Sequence, residues 1–350
     1  MKRRALLKSM PFSALALVDI AQAATKTIAT PKVAAPYISA GQMVQGLLTQ
    51  HLQPSAAALQ QAAQALAQSL AQAKAPWAQH RTLWVATMLA WERLAAVAVG
   101  PLLERRSARA IDFWPTRPAQ IQRLLESGSV TRVQQLDTVG ATARGLPALE
   151  WLLWKTDGSG HAAAYASVLA QQVLAESDAL QTGYQTLANT EREEEDAWTL
   201  YGEWFGQAVG GLDQLRIKKM VPDTRGKDSA PWVRGLSGQT AACWQAQAQG
   251  LQAFLIGSPA AQAAAQTATP GWPVAGSLHS LLLGRGHLRD GLALQERSAA
   301  MLRAVQSARP GNPASVRAAQ AALAQASALA NGLASDVLTI TMGFTDADGD

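Results

Sequence analysis

Cysteine and histidine are scarce in this chain, and their scarcity excludes several kinds of site. Cys243 is the only cysteine among 350 residues, so no intrachain disulfide can form. The histidines are His51, His80, His161, His279 and His287. No two of them stand four apart with a glutamate between them, as in the HExxH helix of zinc peptidases. The sequence also lacks the Gly-x-Ser-x-Gly elbow of α/β-hydrolases, so it carries no catalytic signature.

Residues 1–23 have the layout of a secretory signal peptide. A basic start at residues 2–8 precedes an apolar run at residues 11–18, and Ala21-Gln22-Ala23 provides small residues for cleavage. The order of residues 3–8, RRALLK, fits the twin-arginine export motif, although an ordinary basic start explains it equally well. We therefore expect an exported, periplasmic protein.

The remaining chain is short of net charge and of long apolar runs. Removing residues 1–23 takes away four basic groups and one acid, which lowers the net charge from +5 to +2. Such a weak charge gives no electrostatic reason to expect binding to nucleic acid. No later stretch is apolar over about 18 residues, so we expect no membrane span. No cysteine near the cleavage site could carry a lipid, so a lipoprotein is not expected.

Alanine, leucine and glutamine dominate the sequence and favour helix almost everywhere. The pattern predicts an all-α protein of two antiparallel helical bundles. An extended leader at residues 24–36 precedes an N-terminal bundle at residues 37–154. Turn formers at residues 155–161 form the predicted linker, and residues 162–350 form the C-terminal bundle with the acidic tail GFTDADGD. Pro54 is expected to separate two helices, and residues 274–308 to form one long helix.

One similarity between the halves suggests an internal duplication. Residues 84–92 (WVATMLAWE) and residues 198–204 (WTLYGEW) are both rich in tryptophan and contain an acid. A degenerate duplication would produce this similarity between the two segments, and so would chance in so helical a chain. The stripe formed by Trp77, Trp84, Met88 and Trp91 is typical of a buried helix face.

The most informative stretch is residues 145–154, GLPALEWLLW. Gly145 marks a break, and Pro147 suits the first turn of a helix, where its missing N–H costs nothing. The following leucines and tryptophans bury most of this helix, which leaves Glu150 as a carboxylate on an apolar surface. Because a buried carboxylate is costly unless it is paired or hydrogen-bonded, Glu150 requires a partner.

This stretch resembles the GxHxxE signature of the imelysin-like family of exported bacterial proteins. Three other segments resemble the same family in the same order: residues 111–115 (IDFWP), residues 212–220 (LDQLRIKKM) and residues 343–350 (GFTDADGD). The resemblance implies an iron-regulated protein of two helical bundles, with the signature between them. It also implies similarity to insulin-cleaving membrane proteins, whose reported peptidase activity gave the family its name.

The chain departs from that signature at one position, because Pro147 stands where the family has histidine. In the family, the histidine and the glutamate of the motif are proposed to bind a metal, with iron as the proposed ion. Only Gly145 and Glu150 carry over, so Glu150 is the only motif ligand retained. Iron or another divalent metal is therefore implied as a cofactor by the resemblance alone, and weakly, since one carboxylate does not hold a transition metal.

A ligand pocket between the bundles is expected around Glu150. Its predicted residues are Gly145, Pro147, Glu150, Arg105, Asp112, Trp114 and Lys219. The cation beside Glu150 is expected from the Arg105–Arg109 loop or from Lys218, Lys219 or Arg285. The arginines of residues 105–117 could equally form a solvated loop with local pairing.

These observations leave three functions open. The first is a periplasmic binding or accessory protein for iron or another small ligand, with a partner in the periplasm or inner membrane. The second is a peptidase, as the family name implies, although the sequence supplies no catalytic residues. The third is a helical scaffold without a ligand.

Overall fold

The computed structural model describes residues 35–72, 75–223, 232–268 and 276–340. Helices are the only regular secondary structure within these ranges, which confirms the all-α class. The signal peptide, the leader up to residue 34 and the acidic tail at residues 343–350 lie outside the described residues. The two-bundle division at residues 155–161 and the internal duplication stay predictions.

The α-helices of the described ranges follow one another without intervening strands. They are α1 (Ala40–Leu47), α2 (Gln53–Leu70), α3 (Trp77–Leu94), α4 (Pro101–Glu104), α5 (Ser107–Ile111), α6 (Pro118–Ser127), α7 (Gly145–Lys155), α8 (His161–Ala188), α9 (Glu194–Gln214), α10 (Thr240–Ile256), α11 (Pro259–Ala268), α12 (Leu278–Gly284), α13 (Leu288–Ser307) and α14 (Pro313–Gly332). Two 3₁₀ turns, Val133–Thr138 and Ala141–Ala143, precede α7. No helix among these is long and apolar enough to cross a bilayer.

Three π turns extend or join α-helices at Leu48–Leu52, Leu215–Lys219 and Leu333–Leu338. The first of them connects α1 directly to α2, so the expected break at Pro54 is wrong. Pro54 lies in the first turn of α2, where the wider turn before it accommodates a residue without an N–H. The single helix expected over residues 274–308 is also wrong. Gly286 has a positive φ of 85° and separates α12 from α13.

Helix α3 lies at the centre of the packing. It contacts α2, α7 and α10. Gly250 allows the approach of α10, because a Cβ there would lie 2.2 Å from the carbonyl oxygen of Arg93. The buried apolar side chains then form one continuous cluster from Ile38 to Ile340. The first and second halves of the chain therefore share core contacts through α3 and α10.

The tryptophan stripe of α3 packs in this core. Trp84, Met88 and Trp91 are buried, and Trp77 is half-buried at the start of the helix. The indole N–H of Trp84 donates to the carbonyl oxygen of Leu146 at 2.9 Å, which joins α3 to the first turn of α7. The stripe thus positions the helix that carries Glu150.

Two buried histidines predict that acid destabilises the fold. Burial, and secondarily the charge of Arg93, lowers the pKa of His51 to about 4, and burial lowers the pKa of His279 to about 4. In the unfolded chain their pKa is about 6.5, so both stabilise the fold fully above that pH and lose this contribution as the pH falls toward 4. We expect each to reduce the free energy of unfolding by roughly 1–2 kcal/mol between pH 6.5 and 5.

Urea unfolding at several pH values measures this loss. His51→Gln and His279→Gln should each flatten the pH dependence, and both should do so more than His287→Gln, which changes an exposed histidine. A free energy of unfolding that stays constant down to pH 5 would contradict the prediction.

Candidate functional site

Helix α7 starts at a backbone position that only glycine suits. Gly145 has a positive φ of 68°, and a Cβ on it would lie 2.3 Å from the carbonyl oxygen of Ile111. The start of α7 is therefore pressed against the end of α5, immediately before Asp112. Pro147 and Glu150 follow three residues apart, so they share one face of α7. Both are buried.

The carboxylate of Glu150 is 3% exposed and is held by a backbone amide. The N–H of Ser237 donates to its Oε1 at 2.9 Å. Ser237 belongs to the turn at residues 232–239 that leads into α10, so this hydrogen bond joins the two halves of the sequence. The amide therefore gives this buried carboxylate one of the hydrogen bonds that it needs.

The same turn inserts Arg234 into the interior. Arg234 has a left-handed backbone with φ 62°, and its side chain is 1% exposed. Its carbonyl oxygen accepts hydrogen bonds from the N–H of Gln239 at 3.0 Å and from the hydroxyl of Ser237 at 3.2 Å. The Trp232 ring packs edge-on against Trp244 of α10, with centroids 5.2 Å apart. These contacts hold the turn, and with it the guanidinium, in one orientation.

Three carboxylates surround the Arg234 side chain. Its Nη2 forms an ion pair with Oδ1 of Asp112 and lies 4.0 Å from Oε1 of Glu92. Asp112 also accepts the indole N–H of Trp91 at 2.9 Å, and Glu92 forms an ion pair with Nζ of Lys219. We call Glu92, Asp112, Glu150, Lys219 and Arg234 the ionic cluster.

The ionic cluster contains three acids and two bases, and most of their side chains are buried. Burial by itself lowers the pKa of Arg234, but Asp112, Glu92 and Glu150 raise it above its ordinary value, so the guanidinium stays charged. Among the described residues, Nε and Nη1 of Arg234 and Oε1 of Glu92 have no hydrogen-bond partner. Since buried ion pairs are often no more stable than apolar packing, this arrangement is not explained by stability alone.

Cys243 lies beside the ionic cluster on α10 and is buried. Burial and the negative charge of Glu92 raise the pKa of its thiol well above the usual value, although Arg234 and Lys219 act in the opposite direction. The thiol is therefore protonated at neutral pH. A nucleophilic cysteine reacts as the thiolate, so Cys243 is not suited to act as a nucleophile.

The structure brings only some of the predicted site residues together. Glu150, Asp112 and Lys219 belong to the ionic cluster, and Gly145 and Pro147 shape the helix that carries Glu150. Arg105 does not belong to it, because its guanidinium pairs with Glu176 at 2.9 Å and is 44% exposed. Trp114 is half-buried, two residues after Asp112.

Two of the cations expected beside Glu150 interact with other groups. Lys219 pairs with Glu92, and Arg285 lies over the Trp198 ring at 4.3 Å. The cation that acts on Glu150 is Arg234, which the sequence reasoning missed. It also missed the role of Ser237. Glu92 was visible only as an acid beside the tryptophan stripe, and no local pattern marks Arg234 as buried.

The residues around Glu150 do not fit a transition metal. Pro147 supplies no donor atom on the face it shares with Glu150. Among the described residues, no three histidine, cysteine or acidic side chains are grouped as a metal site requires. The carboxylates of Glu92 and Asp112 are already neutralised by protein cations. The iron implied by the family motif therefore has no matching ligand set in this part of the chain.

Removing the buried cation should destabilise the fold far more than removing an exposed one. Arg234→Met leaves three buried carboxylates with Lys219 alone, and we expect it to lower the free energy of unfolding by about 3–5 kcal/mol. Arg105→Met removes an exposed pair and should cost less than about 1 kcal/mol. Denaturant unfolding of both variants tests this, and equal effects would contradict the buried role of Arg234.

Gly145→Ala should also destabilise the protein, since it combines a left-handed backbone with a collision against Ile111. We expect a loss of roughly 2–4 kcal/mol. Gly160→Ala is the matched control, because Gly160 has a similar φ of 57° but no atom within 4 Å of an added Cβ. Thermal unfolding should show the larger loss for Gly145→Ala, and a similar loss in both would rule out the collision.

Two solved structures have folds similar to that of this chain. A crystal structure of an imelysin-like protein from Psychrobacter arcticum 273-4 superposes with a TM-score of 0.65 at 16% identity, covering 89% of this chain and 100% of that chain. A putative iron-regulated protein A precursor from Parabacteroides distasonis ATCC 8503 gives a TM-score of 0.68 at 11% identity, covering 86% of this chain and 95% of that chain. At these identities the likeness concerns the fold.

No curated protein matches the chain. The family model described as Imelysin matches residues 46–339, which include α7, Arg234 and every other member of the ionic cluster. Because this match spans most of the sequence, the chain belongs to the imelysin family.

Proposed function

We propose that this protein is exported to the periplasm and acts there as a binding or accessory protein in the uptake of iron or another small ligand. The ionic cluster around Glu150 is its functional centre. A partner in the periplasm or inner membrane receives or delivers the ligand. Export is supported by the layout of residues 1–23 and by the word precursor in the name of the Parabacteroides relative. The link to iron is supported by the iron-regulated description of that same relative.

The observation that carries this proposal is the burial of the motif glutamate within a charged centre. Members of the ionic cluster come from α3, the end of α5, α7, the π turn after α9 and the turn before α10. A fold optimised for stability alone would replace such charges with apolar side chains. Their presence favours a functional use, and this centre contains residues from both halves of the sequence.

Lys219 provides the route by which this centre meets a ligand or partner. Its side chain is 24% exposed, whereas Arg234 and Glu92 are each 1% exposed. A ligand or a partner that carries a carboxylate or another anionic group would therefore reach Lys219 first. An anionic group bound to Lys219 would weaken the ion pair between Lys219 and Glu92. Binding at the surface would in this way alter the interactions of the buried side chains Glu92 and Arg234.

Growth and iron uptake in a strain lacking the gene test the proposed role. Under iron limitation, the unaltered gene should restore uptake of radioactive iron, whereas Glu150→Gln should leave it at the level of the deletion strain. Glu150→Gln keeps the side-chain shape and removes the charge. Arg105→Gln is the control, since it changes an exposed pair outside the ionic cluster and should restore uptake fully.

The other two functions predict different results. A peptidase would cleave an unfolded protein substrate in a purified assay, and Glu150→Gln would stop the cleavage. A scaffold without a ligand would support uptake equally well with either variant. Normal iron uptake in the deletion strain, or recovery of the protein outside the periplasmic fraction, would contradict the proposal.

A further inference from the structure

We propose that the Arg234 guanidinium is a resident cation that closes the centre between Glu92, Asp112 and Glu150, so that this protein neither needs nor admits a metal ion there. This inference goes beyond the proposed function and rests on the geometry of the ionic cluster. The inference about Arg234 is therefore tested separately from the proposed role in iron uptake.

The position of Arg234 is the first argument. Its Nη2 pairs with Asp112 and lies 4.0 Å from Oε1 of Glu92, and the charge of Glu150 acts on the same guanidinium. One cation thus serves three carboxylates that come from three different parts of the chain. A metal ion that bound any of these acids would compete with the guanidinium for the same carboxylate oxygens.

The backbone of Arg234 provides a second argument. A left-handed conformation is unfavourable for arginine, and such strain persists only where surrounding contacts impose it. Here the Gln239 N–H and the Ser237 hydroxyl both bind the Arg234 carbonyl oxygen, and the same turn delivers the Ser237 N–H to Glu150. The turn therefore places the guanidinium and neutralises the motif glutamate with one set of contacts.

The polar atoms left without partners provide the third argument. Nε and Nη1 of Arg234 are buried N–H donors without a hydrogen-bond partner among the described residues. Donors of this kind suit a water or a carboxylate oxygen and repel a metal ion. Lys219 adds a second positive charge next to Glu92. A divalent ion would have to displace both cations before it reached the carboxylates.

Titration with manganous ion tests this inference, since manganese is divalent, binds oxygen and imidazole ligands, and is detected directly by electron paramagnetic resonance. Three forms of the full chain are compared: the unaltered protein, Pro147→His, and Pro147→His combined with Arg234→Met. Pro147→His restores the imidazole of the family motif while Arg234 remains. We expect micromolar binding only in the double variant, and a rise in its melting temperature when manganese is added.

Three results would overturn the inference. Micromolar binding to the unaltered protein that Glu150→Gln abolishes would show that a metal fits beside Arg234. Equally tight binding to Pro147→His alone would show that the absent imidazole, and not the resident arginine, excludes the metal. A folded double variant that binds no manganese would show that Arg234 does not occupy a metal position.

Charge balance gives a second test, which does not use the variant that combines Pro147→His with Arg234→Met. Arg234→Met should lower the melting temperature strongly, and adding Asp112→Asn should recover part of that loss because it removes a carboxylate left without its cation. The recovery would support the role of Arg234 as a counter-charge. If Arg234→Met with Asp112→Asn is no more stable than Arg234→Met, the guanidinium is not acting as a resident cation and the inference is wrong.

Discussion

The contact between Arg234 and the carboxylates around it is the constraint on which the rest of this structure depends. Glu92, Asp112 and Glu150 cannot share a dry interior unless positive charge is buried with them. Arg234 supplies that charge from a turn, and Lys219 supplies more from the π turn Leu215–Lys219. The helices that carry these groups must therefore meet in one arrangement, and the core packing of α3 against α7 and α10 provides it.

The residues predictable from the sequence are those whose signal is local. Alanine-rich composition and helical spacing indicate the all-α class, and the tryptophan stripe of α3 indicates a buried face. Gly145 and Glu150 stand out because a glycine break and a lone acid on an apolar helix are visible in a short window. Family resemblance then links these residues to the imelysin fold, which the match over residues 46–339 confirms.

The parts that the sequence does not reveal depend on contacts between distant segments. Arg234 lies 122 residues from Asp112, and Ser237 lies 87 residues from Glu150. No periodicity distinguishes a buried arginine in a turn from the exposed arginines near residue 105. Charge density pointed to that loop instead, but Arg105 finds a closer acid in Glu176 of α8. The sequence similarly predicts a helix break at Pro54, whereas the π turn Leu48–Leu52 before it lets the helix continue.

The π turn Leu215–Lys219 makes this chain sensitive to insertions and deletions at the end of α9. The N–H of Met220 bonds the carbonyl oxygen of Leu215, five residues earlier, so the turn contains one residue more than an α-helical turn would. Losing one residue here would rotate the residues that follow it in this helical segment by about 100° around the helix axis. Lys219 would then turn away from Glu92, and its carbonyl oxygen would leave the Trp244 indole N–H that it now accepts at 3.0 Å. A change of length at the end of α9 would therefore remove the positive charge of Lys219 from its position beside Glu92.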